Sequence, residues 1–359
     1  MIKRPLLFFT ISILAVAAAS NERSAARAAA TETTTAGPDA PGSLLMTAQS
    51  VNGVALSWSA AAETTYPLSY YKIYRNGVAY ATSTETSYSD TKATNATVPG
   101  FTAPATVYAY TVSAVDTQGF EGPQQKQMTY WVYHNGVFSW AGDYSDVTLN
   151  YKSTAGVPED GAYDISVTAK TSYGYAQPYS GAPAAPEWAA DIGAFKYMIL
   201  DLKPTIANQT WRLNIISRLP QGDVYNNKVV ILPGAYGPAA VAGKWGHYKV
   251  PLNPDLAIGK GAFVGSISGS TLNVKSVEPG MSVQTTAWLT GPGIAAHTYI
   301  LAFQSGSGGA GTYTVVPSQT VASTTIDMQR TNMYKFSLID NLNVSANLYY
   351  IDNVGFTTE

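Results

Sequence analysis

Downstream of Gly37 the chain alternates apolar and polar residues, and almost no segment shows a helical period. Short runs rich in Val, Ile, Thr and Tyr are broken by Gly, Pro, Asn and Asp. Side chains on a strand point alternately to its two faces, so this pattern restricts the chain to half-buried strands joined by turns. Val54, Leu56 and Trp58 fall on one face of a strand, as do Tyr71 and Ile73. Asn76-Gly77 then supplies a two-residue hairpin turn, because both residues tolerate positive φ, and Val78 to Thr82 is the return strand. Tyr108, Tyr110, Val112 and Ala114 alternate next. Further runs follow at Tyr163 to Ala169, Tyr197 to Leu202, Trp211 to Ile215, His247 to Leu252, Tyr334 to Leu338 and Leu348 to Phe356. The fold class is all-β, and 359 residues are enough for two or three domains.

The N-terminus has a different character. Lys3 and Arg4 precede an apolar stretch from Leu6 to Val16, and Ala17-Ala18-Ala19 offers small residues for cleavage. Residues 1–19 therefore read as a secretory signal peptide, and their apolar stretch falls short of the about 20 residues that span a bilayer. Residues 20–37, rich in Ala, Thr and Ser, read as a linker. No cysteine is present, which excludes disulfides. An exported chain without them fits a bacterial exoprotein, extracellular or periplasmic. No other apolar stretch suits a membrane, and a net charge of −2 gives no footprint for nucleic acid. Charged residues make up 12%, against roughly 25% in soluble proteins. Hydroxyls and aromatic rings, including 25 tyrosines, take their place and suit neutral polar ligands such as sugars.

Residues 38–128 resemble the fibronectin type III family. Pro41, Leu56-Ser57-Trp58, Tyr71 to Gly77 and Tyr108 to Asp116 carry the likeness, in that order. The resemblance implies a β-sandwich with Trp58 in its core, Tyr108 as the corner tyrosine and the role of a spacer. A second resemblance, to jelly-roll carbohydrate-binding modules of bacterial exoproteins, covers 129–260 and 328–359. It rests on Val132-Tyr133, Trp140, Asp143-Tyr144-Ser145, Gly161 to Val167 and the closing run Tyr350 to Phe356. Between its two parts, residues 261–327 are low in charge and rich in Gly, Ser and Thr. They look like a small inserted β module of a repeat type.

Sugar recognition lays an apolar C–H face on an aromatic ring while polar neighbours bond the hydroxyls. Trp140, Tyr144, Tyr173, Tyr175, Tyr179, Trp188, Tyr236 and Trp245 sit in loops or at strand edges and are the candidate ligand-binding residues. Trp211 and Trp131 are assigned to the core. Asp352, placed by alternation on the face of Leu348, Tyr350, Val354 and Phe356, needs a cation or several donors. The jelly-roll resemblance implies a structural Ca²⁺ there, although His134 and Asn135 stand where relatives often carry acids. The three histidines form no HExxH spacing, no G-x-S-x-G elbow occurs, and Gly306 to Gly311 matches G-x-G-x-x-G only as a loop between β segments. No catalytic residue is assigned. The expected protein is a monomeric, non-catalytic polysaccharide binder. A jelly-roll glycosidase or lyase using acids such as Asp143, Glu187 or Asp201 is the first alternative, and a surface adhesin is the second.

Overall fold

The computed structural model describes residues 37–359 apart from 51–52, 63–64, 94–96, 99–100, 103–106, 139–141, 144–146, 159–160, 169–174, 177, 180–189, 220–221, 254, 257–258, 286, 296–297, 331, 334 and 341–347. At a few strand positions it describes the backbone alone. The expected signal peptide and nearly all of the linker lie outside the described residues.

The chain is all-β and built from β-sandwich layers. In the first sandwich, Gly42–Ser50, Gly53–Ser59 and Ser87–Asp90 form one layer, and Val78–Ser83, Leu68–Arg75 and Tyr110–Asp116 form the other. The alternation in the sequence is the cause: Val54, Leu56 and Trp58 turn inward from one layer, and Tyr71, Ile73, Val112 and Ala114 from the other. Trp58 meets Tyr71 edge to face at 5.4 Å. Asn76 and Gly77 have φ of 52° and 78°, and they close the hairpin between Arg75 and Val78.

The tyrosine locked by its hydroxyl is Tyr110, not the expected Tyr108. Tyr110 is buried and donates to Asp90 at 2.6 Å. Tyr108 is half-buried and forms one of two rings flanking the Arg75 guanidinium, at 4.4 Å, with Tyr80 at 3.9 Å. Asp90 collects three side chains, since Tyr80 and Arg75 also donate to it. Burial alone raises its carboxyl pKa, but the bonds from Tyr110, Tyr80 and Arg75 outweigh burial and hold it below the ordinary range.

No linker separates this sandwich from the next. Val112 and Gln125 exchange both backbone hydrogen bonds, at 2.7 and 3.3 Å, as part of the first sandwich. Three residues later the same chain enters the strand Met128–His134. That strand runs parallel to Gly42–Ser50, pairing Leu44 with Met128 and Leu45 with Thr129. Its other edge meets the closing strand Leu348–Thr357. One sheet thus passes from the first sandwich into the second, and one apolar core runs through both.

The second sandwich faces this shared sheet with another. Its central strand Trp211–Leu219 lies between Gly222–Leu232 and Lys335–Asp340, and Tyr175–Ala176 and Pro178–Tyr179 follow one another along the outer edge of Lys335–Asp340. A separate four-stranded sheet is made by Gly259–Val277, Gly311–Arg330, Trp288–Thr290 and Thr298–Phe303. It encloses its own apolar cluster around Phe263, Leu272, Ile300, Tyr313 and Val315. The glycines at 306 to 311 wrap Tyr313 here. Its hydroxyl donates to the Gly309 carbonyl and accepts from the Gly308 amide, and a Cβ at Gly306 would lie 2.3 Å from its ring.

Asp90 gives the fold one source of pH dependence. Its carboxyl pKa is depressed in the folded state, so its contribution is present above the ordinary carboxylate range and is lost as pH falls through the folded value. Asp90→Ala strands a buried tyrosine hydroxyl and a guanidinium, which should cost about 3 kcal/mol at pH 7. Urea denaturation of both proteins across pH checks this, with the gap between them expected to close toward acid.

Candidate functional site

The strand Trp211–Leu219 alternates cleanly over its first half. Trp211, Leu213 and Ile215 are fully buried against Tyr248, Tyr349 and the rest of the shared core, as the sequence indicates for Trp211. Arg212 and Asn214 point the other way and are half-buried. On the neighbouring strand Phe336 and Leu338 face inward, while Ser337 lies directly opposite Asn214, and Ile339 opposite Arg212. Ile231, paired with Arg212 from the other side, is exposed. The outer face of this sheet thus grades from an open end at Arg212 and Ile231 to a buried end at Ser337 and Lys335.

Polar atoms line that gradient. Arg212 Nε, Asn214 Oδ1 and Ser337 Oγ are each shielded from solvent, and none has a hydrogen-bond partner among the described residues. Buried polar groups are nearly always bonded, and leaving one unbonded costs about 1–3 kcal/mol. The three atoms lie on neighbouring outer-face positions of two adjacent strands. Neighbouring strands lie about 4.8 Å apart and successive same-face residues about 6.6 Å apart.

Two aromatic candidates reach this face by register. Tyr175 is paired with Ile339 and Tyr179 with Lys335, both outer-face positions, and only their backbone is described. Trp140, Tyr144, Tyr173 and Trp188 lie outside the described residues. Tyr236 and Trp245 stand elsewhere. Tyr236 packs half-buried against the core, and burial together with Asp255 pushes its hydroxyl pKa up. Trp245 donates its indole N–H to the Val157 carbonyl at 3.0 Å, and Lys203 Nζ lies 5.7 Å from its ring. Arg212, Asn214 and Ser337 were not sequence candidates, although Trp-Arg-Leu-Asn-Ile carries the signal as polar residues interleaved with core.

Asp352 departs from the sequence reading. The closing strand pairs first with Asp164–Thr168 and then with Met128–His134 along the same edge. At the changeover Asn353 takes a φ of 47° and the register slips. Tyr349 and Ile351 face the core before that point, and Val354 and Phe356 after it. Asp352 therefore does not share a face with Val354 and Phe356. It sits fully buried on the opposite side, paired across the ladder with Asp201 and one position beyond the pairing of Ile165 with Ile351, so that Asp164 flanks it.

Asp352 Oδ1 accepts its neighbour's amide at 2.8 Å. Asn353 donates to Asp201 at 2.9 Å and accepts from His134 Nδ1 at 2.7 Å, and Asp201 accepts from His247 Nδ1 at 2.8 Å. Burial pushes the Asp164 carboxyl pKa up, against the pull of Ser153, the Gly156 amide and Lys203. Calcium takes about 6–8 oxygens. Asp164 and Asp352 offer two adjacent carboxylates, but among the described residues no three acidic or histidine side chains converge on one point. Backbone carbonyls and water would have to complete such a site.

A scan against models of known families and a search of curated proteins find no match. Among solved structures, the chain is similar to the family 11 carbohydrate-binding module of cellulosomal cellulase Lic26A-Cel5E of Clostridium thermocellum. Identity is 13% and the TM-score 0.32, over 64% of this chain and 93% of that one. The family 30 module of cellulosomal cellulase CEL9D-CEL44B of the same organism matches at 9% identity and a TM-score of 0.31, over 61% and 91%. A family 11 module in complex with a β-1,3-1,4-mixed-linked tetrasaccharide matches at 12% and 0.28, over 60% and 84%. These neighbours are carbohydrate-binding modules of β-sandwich form, and likenesses this shallow assign no ligand to this chain.

Proposed function

We propose that this chain is a secreted, monomeric, non-catalytic polysaccharide-binding protein whose ligand lies along the outer face of the strands Trp211–Leu219 and Lys335–Asp340. The observation that carries the reading is the row Arg212 Nε, Asn214 Oδ1 and Ser337 Oγ, shielded from water and without partners among the described residues. Sugar hydroxyls can both donate and accept, so a chain on this face can bond the exposed parts of the Arg212 and Asn214 side chains. The backbone register pairs Tyr175 with Ile339 and Tyr179 with Lys335, which supports keeping both tyrosines as candidate contacts. Residues 38–128, with their resemblance to fibronectin type III, act in this reading as a rigid spacer rather than a flexible one.

Calorimetric titration against a panel of soluble polysaccharides, with pull-down on insoluble ones, tests the proposal. Arg212→Ala and Asn214→Ala should each weaken binding about ten-fold or more. Ser337→Ala should weaken binding yet change folding stability by less than about 1 kcal/mol, because it removes a hydroxyl with no described partner. Absence of binding across the panel would overturn the reading. Reducing-sugar release or an unsaturated lyase product would replace it with an enzymatic one.

The structural calcium at Asp352 belongs to the same proposal, supported by the buried Asp164 beside it. Thermal melts in EDTA and then in calcium check this. A Tm several degrees higher with calcium, and lost in Asp352→Asn, is the expected result, whereas identical melts would remove the ion from the account.

A further inference from the structure

The two sandwiches meet along a parallel strand pair that ends early. Gly42–Ser50 and Met128–His134 are paired only at Leu44 with Met128 and Leu45 with Thr129. Beyond that they diverge, and a cleft of about 380 Å³ opens between them. Leu45 and Thr47 line one wall, and Trp131, His134, Asn135 and Val137 the other. The cleft is a product of the junction, since neither sandwich alone supplies both walls.

Its distinguishing feature is a flat aromatic surface. Trp131, assigned to the core from the sequence, is only half-buried. The imidazole of His134 lies on its ring, with centroids 4.9 Å apart and planes within 16° of each other. Two constraints hold this pair. The bond between His134 Nδ1 and Asn353 fixes the imidazole, and the indole packs against Gly355, where a Cβ would lie 2.7 Å from Trp131 Cε3. The Asn135-Gly136 turn, with φ of 49° and 78°, then carries the wall round to exposed Val137. Among the described residues, no Asp, Glu, Lys or Arg lines the cleft. Its chemistry is a rigid ring surface with an apolar floor at Leu45 and polar groups from Thr47, His134 and Asn135 at the rim.

We propose that this cleft is a second saccharide-contact site, taking a short neutral saccharide or one end of a longer chain against the exposed part of the Trp131–His134 pair. The proposal rests on the glycan-binding reading of the protein and extends it to a surface that sequence reasoning treated as packing. Neutral walls disfavour a charged ligand. A ring held in place by its protein contacts also loses little side-chain entropy when a sugar touches its exposed part.

Calorimetry with short oligosaccharides of the best-bound polysaccharide, on the full chain, tests it with three variants. Trp131→Ala removes the platform. Thr47→Arg fills the cleft from an exposed position and leaves the indole in place, so it guards against misfolding of the first variant. Arg212→Ala disables the other face. Wild type should show two binding events. Trp131→Ala and Thr47→Arg should each weaken one of them about ten-fold or more and spare the other, and Arg212→Ala should do the reverse. Thr47→Arg should also leave the thermal transition in place. A single binding event that Arg212→Ala abolishes and both cleft variants leave unchanged would overturn the second site and keep the first. No binding by wild type would overturn both.

Discussion

The structure depends on how one closing strand is hydrogen-bonded. Leu348–Thr357 has Tyr197–Pro204 along one whole edge, and Asp164–Thr168 followed by Met128–His134 along the other. A strand bonded on both edges has no backbone group left over to template other pairings, and it cannot move without breaking several ladders together. Because Met128–His134 also joins Gly42–Ser50, the same lattice of bonds ties the end of the chain to its first described strand. Thr358 completes the tie by exchanging bonds with the Met128 backbone. The inter-module cleft lies beside this joint.

Much of the fold was legible because burial on one face of a strand leaves a two-residue period. The run from Trp211 to Ile215 and the presence of the closing strand follow from that period, and the hairpin at Asn76-Gly77 from two residues that tolerate positive φ. Alternation fails where the backbone changes hand or gains a residue. At Asn353 a positive φ and a register slip exchange the faces, which moved Asp352 from the expected core face to the opposite one. A proline also stands inside a continuous strand, Pro317 in Gly311–Arg330. There the ladder to Gly259–Val277 jumps from Gly269–Gln319 to Thr271–Thr314, so the proline meets no ladder partner on that side. Neither event leaves a mark in composition.

The site was harder to read than the fold for a related reason. Aromatic rings in loops draw attention because a loop exposes them, but Arg212, Asn214 and Ser337 sit in regular strands, where polar residues between core residues look like ordinary solvent-facing positions. What sets them apart is that their polar atoms are shielded and have no described partner, which only packing around the sheet reveals. Trp131 was missed in the opposite sense. Its place on a central strand suggests core, and only the divergence of two strands beyond a short parallel pairing exposes its face.

The central claim is that shielded polar atoms on one sheet face are bonded by a sugar chain. Side-chain NMR reads those atoms directly. On titration with an oligosaccharide, the Nε–H resonance of Arg212 and the carboxamide resonances of Asn214 should shift saturably, and exchange of the Nε–H with water should slow. Binding that leaves these resonances and the Nε–H exchange rate untouched would contradict the account.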